Sequence, residues 1–63
     1  MIIYLKKSEH NIPEWFKNPR YTLKHDTYKD EYILGDADRL IYFRVHKLNK
    51  ANFKKFKKLL EEE

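Results

Sequence analysis

Eight Lys or Arg residues and no Asp or Glu fall between Arg39 and Lys58. One-signed charge at that density attracts polyanions, so the chemistry this stretch offers is the binding of phosphates or carboxylates. Tyr42, Arg44 and His46 alternate with apolar residues at its start, and Lys47, Lys50, Lys54, Lys55, Lys57 and Lys58 follow. Aromatic rings interleaved with cations suit single-stranded nucleic acid, because bases stack on the rings and the cations hold phosphates. The lysines beyond them suit a phosphate backbone, each contact releasing counterions. The bland explanation is close at hand: Tyr is common on any wet strand face, and lysines commonly line the solvated side of a docked helix.

The other candidates for chemistry are weaker. His10, His25 and His46 show no recurring ligand spacing and no Cys supports them, so no metal site and no cofactor are expected. His25 and His46 on neighbouring strands would supply a general base and a general acid, with Tyr42 and Arg44 beside them. A small ribonuclease needs little more. That is the one enzymatic alternative; surface histidines on strands are the plainer explanation, and no catalytic residue is assigned. Asp36 and Asp38 flank Ala37 in a turn-like segment, where paired carboxylates form turns more often than metal sites. With one Gly in the chain there is no phosphate-cradling loop, and the only Ser, Ser8, sits in no nucleophile elbow. Trp15 and Tyr21 are the candidate anchors for a protein partner, although a chain with so little core has reason to bury Trp15.

The elements that must position these residues follow from length and pattern. Sixty-three residues make one small domain, 1–63. Such domains are marginal and usually draw on disulfides, metals or a homodimer for support; the aromatic side chains, 16% of the residues, offer another route. Residues 2–6 read as a strand and 7–11 as a loop. Asn11, Pro13 and Glu14 then give a helix start, with Asn11 as cap, and Pro19 ends that helix early. Residues 20–26 alternate as a strand, 27–30 turn, and 31–34 return. Gly35 to Asp38 reads as a hairpin turn in which Gly35 takes a positive φ. In residues 39–46, Ile41, Phe43 and Val45 share a core face, so Leu40, Tyr42, Arg44 and His46 share the other. Asn49 caps a last helix with Phe53, Phe56, Leu59 and Leu60 on one side and lysines on the others. The acidic tail Glu61–Glu63 closes the chain.

The expected fold is therefore α+β: a small antiparallel sheet of three to four strands, a C-terminal amphipathic helix packed on one face, and a short helix after the first strand. In architecture alone, with no shared motif, the three-strand-plus-helix half is similar to the sheet-based DNA-binding domains of some transposon integrases. The apolar run Met1–Leu5 is too short for a signal peptide or a membrane span. Together with the lack of Cys it suggests a cytoplasmic protein that does not insert into membranes. The expected function is a small basic non-enzymatic binding protein. Its first partner class is nucleic acid, DNA or RNA, held by the Lys/Arg patch of the last strand and the C-terminal helix. The alternative is a protein–protein module or inhibitor of an acidic partner, of the kind encoded by a phage, virus or mobile element.

Overall fold

Strands β1 (Ile2–Tyr4), β2 (Tyr21–Asp26), β3 (Glu31–Asp36) and β4 (Ile41–Val45) form one antiparallel sheet in chain order, followed by helix α1 (Lys50–Glu62). This computed structural model describes residues 1–62; Glu63, the end of the acidic tail, lies outside them. The α+β architecture is the one the sequence pattern implies.

Alternation along each strand sorts the side chains onto two faces. Leu23, Leu34 and Phe43 are register partners across the sheet, as are His25, Tyr32 and Val45; both rows face α1. The intervening rows face away from it. They are Tyr4, Lys24, Ile33 and Arg44; then Ile2, Asp26 and Glu31; then Thr22, Gly35 and Tyr42.

Helix α1 starts where Asn49 caps it. The Asn49 side-chain Oδ1 accepts the Asn52 N–H at 2.9 Å, and its carbonyl accepts the Phe53 N–H at 3.1 Å, which satisfies donors the first turn would otherwise leave free. Phe53, Phe56 and Leu60 recur at helical spacing and are buried on the sheet. Burying each contributes about 2–3 kcal/mol before conformational entropy is charged against it. At the far end, Arg39 Nη1 donates to the Leu60 carbonyl at 2.6 Å, one of the acceptors a helix C-terminus leaves unpaired.

The short helix is a single 3-10 turn, Glu14–Lys17, and Asn11 does not cap it; Pro13 occupies the cap position with no side-chain bond. The other end is tied instead by Lys7, whose Nζ donates to the carbonyls of Phe16 at 3.0 Å and Asn18 at 2.8 Å. Burial pushes the Lys7 pKa down. A second 3-10 turn, Lys7–Glu9, stands where a plain loop was expected. Phe16 is fully buried at the centre of an aromatic cluster, with the Trp15, Tyr21, Phe53 and Phe56 rings 5.1–6.0 Å away.

Both hairpins turn on the same device. Asp26 ends β2 and accepts the N–H groups of Tyr28 and Lys29 at 3.1 and 3.3 Å. Asp36 ends β3 and accepts those of Asp38 and Arg39 at 3.0 and 3.3 Å. The left-handed positions are Asp30, φ 53°, and Leu40, φ 56°. Gly35 therefore does not turn the chain. It lies inside β3, where a Cβ would stand 2.6 Å from Thr22 Oγ1 and 2.9 Å from the Tyr42 ring. The glycine is needed there for the close approach of Tyr42, not for its φ.

Candidate nucleic-acid interface

All three arginines are engaged within the fold. Arg20 Nη2 binds the buried Asp36 carboxylate at 3.1 Å and its Nε lies 3.6 Å from Asp38. Arg39 holds the end of α1. Arg44 Nη1 lies 3.0 Å from Asp26 and 3.5 Å from Glu31. These pairings set the charge states. The Arg44 hydrogen bond, backed by the Lys29 and Tyr28 N–H groups, holds the Asp26 carboxyl below its usual range against the effect of burial. Burial is the largest influence on Asp36 and acts to raise its pKa, but Arg20 and the Arg39 and Asp38 N–H groups together outweigh it and bring it down. Arg20 is correspondingly held more firmly protonated by Asp36.

The lysines are arranged differently. Lys47, Lys50, Lys54, Lys55, Lys57 and Lys58 are exposed, and among the described residues none has a carboxylate within ion-pair distance. Helical spacing divides those on α1. Lys50, Lys54 and Lys57 border a groove of about 350 Å³ between α1 and the segment that carries Trp15. Lys47 and Lys55 line a second depression, at the β4 edge, together with Arg44 and His46. Lys58 lies on the outer side of the helix between these two flanks.

The nine residues expected to form one basic patch thus divide among three places. Tyr42 belongs to the open sheet face, beside Lys24, whose Nζ sits 5.0 Å from the Tyr42 ring and 5.1 Å from that of Tyr4. Arg44 and His46 stand at its border and face carboxylates there; His46 Nε2 lies 3.8 Å from Glu31. The five helix lysines occupy the opposite layer, and Lys47 stands between, in the depression at the β4 edge. Arg44 and His46 share the depression at the β4 edge with Lys47 and Lys55, but Tyr42 and the groove lysines Lys50, Lys54 and Lys57 lie apart from it, so the nine do not form one patch.

Trp15 and Tyr21 meet edge to face at 5.4 Å, and both are half-buried. Trp15 is also stacked on Phe56 at 6.3 Å, with Lys57 Nζ 5.7 Å from its ring. The two histidines of the enzymatic alternative are kept apart. His25 lies on the α1 side, 4.8 Å from the Tyr32 ring and 3.0 Å from Asp30, while His46 reaches the other face. No acid–base pair is assembled from them. With Phe53 and Phe56 buried, the basic helix has no apolar face for a membrane surface, and no helix among the described residues is long and apolar enough to cross one.

Ile12, Leu48, Tyr4 and Lys24 were not among the residues singled out by sequence. Ile12 and Leu48 line the Trp15 groove. Lys24 joins Tyr4 to Tyr42 only through the register of four strands. No family model matches the chain, and no similar curated protein or solved structure was found.

Proposed function

We propose that this chain is a small non-enzymatic binding protein that lays the lysine-bearing sides of α1 against a nucleic-acid backbone, in a cytoplasmic setting. The observation that carries the reading is the set of six lysines, Lys47 just before α1 and five on it, with no acidic partner among the described residues, at a helix whose apolar side is already occupied by the sheet. Unpaired ammonium groups release phosphate counterions without first giving up an internal partner. Lysine also sets the kind of binding. It acts as a flexible point charge, whereas the rigid arginine fork is what reads guanine edges. With Arg20, Arg39 and Arg44 engaged inside the fold, the proposed binding is tolerant of sequence.

The test is the salt dependence of affinity for oligonucleotides. Engagement of all six lysines gives a log–log slope of about −4 on a single strand and about −5 on a duplex. Substituting Lys50, Lys54 and Lys57 by Gln should flatten the single-strand slope by about 2 and weaken binding at least tenfold. Lys24→Gln, on the open face, should leave both unchanged. A flat salt dependence in the wild type rejects the reading. An acidic protein partner is the competitor for the same lysines, and a pull-down from nuclease-treated extract distinguishes it.

A further inference from the structure

The groove beside Trp15 combines two properties that a backbone contact alone does not need. Its floor is apolar, formed by Ile12, Trp15, Leu48 and Phe53, and none of the described residues lining it is acidic. Its α1 wall carries Lys50, Lys54 and Lys57, spaced by about one helical turn and so about 4.5–6 Å apart along the axis. A duplex keeps its bases stacked within and presents phosphates outward. It would cover the lysines and leave the apolar floor unused. An unstacked base has a planar apolar body that fits such a floor, with the phosphates on either side of it within reach of the wall.

We infer that this groove receives one base of a single-stranded nucleic acid against Trp15, while Lys50, Lys54 and Lys57 hold the adjoining phosphates. The inference rests on the nucleic-acid reading above and narrows it to single strands. Trp15 is already fixed in place: Phe56 stacks against it, and Phe16 and Tyr21 meet it edge-on at 5.6 and 5.4 Å. A ring held in this way loses little freedom when a base packs on it. Lys57 is the movable part. Its ammonium rests near the Trp15 ring, 5.7 Å from the centroid, held by a cation–π attraction that is weak at exposed sites. A phosphate is the stronger partner, so the ammonium turns to it as the base takes its place at the ring. The volume of about 350 Å³ lies at the small end of ligand sites, suited to a base rather than a folded partner. Asn49 at the groove mouth is taken by its cap to α1, which leaves few fixed polar groups to choose between bases.

Trp15 is the only tryptophan, so its fluorescence reports on this ring and its surroundings. Wild-type protein is titrated with a single strand of about 12 nucleotides, its duplex, and a poly-glutamate peptide of similar charge. Fluorescence and affinity are read in parallel. The expected result is quenching of Trp15 by the single strand, with affinity about ten- to a hundredfold above that for the duplex. Lys57→Gln should keep the fold and lower single-strand affinity more than duplex affinity. Leu48→Asp, which leaves Trp15 and the three lysines in place, should abolish the preference for single strands. Equal binding of both oligonucleotides without a fluorescence change overturns the groove assignment and leaves the backbone reading intact. Binding of neither overturns both. Quenching by poly-glutamate alone assigns the groove to acidic peptides and also overturns the inference.

Discussion

The open sheet face and the helix face both carry basic and aromatic groups, yet they place their cations differently with respect to carboxylates. On the open face Arg44 and Lys24 are both engaged. Arg44 lies between Asp26 and Glu31, and Lys24 lies between two tyrosine rings. That face also exposes large apolar surface, with Tyr4 75% and Tyr42 50% accessible. On the helix side, among the described residues, the lysines have no carboxylate within ion-pair distance. The difference shows that a count of cations along the chain does not define a binding surface. What counts is which of them the fold has already paired, and here the pairing follows side-chain type. All three guanidinium groups, with planar forks that match carboxylates and carbonyls, went into the structure, whereas among the ammonium groups Lys7 and Lys17 found partners and the six from Lys47 to Lys58 stayed outside it.

The most severe way to break the comparison is to detach the helix layer. Phe56→Ala should cost about 3–5 kcal/mol, measured by urea unfolding, because it removes the fully buried ring by which α1 joins the aromatic cluster. A loss below about 1 kcal/mol would mean that the cluster does not hold α1 to the sheet.

A more selective change sharpens the contrast. Asp26→Asn combined with Glu31→Gln frees Arg44 while leaving a side-chain oxygen for the β2–β3 turn. The open face then gains uncompensated charge, and affinity for a single strand should rise several-fold at low salt. If affinity is unchanged, pairing is not what silences that face. The same variant should alter the acid limb of stability. Asp26 and Asp36 have pKa values below their ordinary ones in the folded state. Their contribution is therefore complete above the unfolded value of about 3.9, and is lost as pH falls through the folded values. Circular dichroism across that range should show a shallower fall for the variant than for the wild type.

The smallest effect concerns the turn that delivers β4 to the edge. Leu40 occupies a left-handed conformation, φ 56°, with its side chain exposed. Leu40→Gly should raise stability by up to about 1 kcal/mol in thermal unfolding, by relieving Cβ strain. Polyanion binding should not change.

Much of this arrangement was legible in the residues. The period-2 alternation of Ile41, Phe43 and Val45 and the helical spacing of Phe53, Phe56 and Leu60 established both layers, and Asn49 as cap located the start of α1. The face of Tyr42 and Arg44 followed from the same alternation. Two things did not follow. Gly35 looked like a turn residue because turns are where glycine is commonest, and only the position of Tyr42 reveals the steric demand. The pairing of Arg44 with Asp26 and Glu31 depends on strand register, which local composition does not encode. The Trp15 groove forms between segments more than thirty residues apart in sequence, so its lysine wall could be foreseen but not the apolar floor beside it.

Asn49 and Arg39 fasten α1 at opposite ends, one from its own chain segment and one from the β3–β4 turn. The helix is thereby a ruler with both ends pinned, and its ammonium groups are graduations at fixed intervals. A strand of nucleic acid settling on it would have to adjust its own torsions to those marks, since the protein surrenders only lysine side-chain rotation.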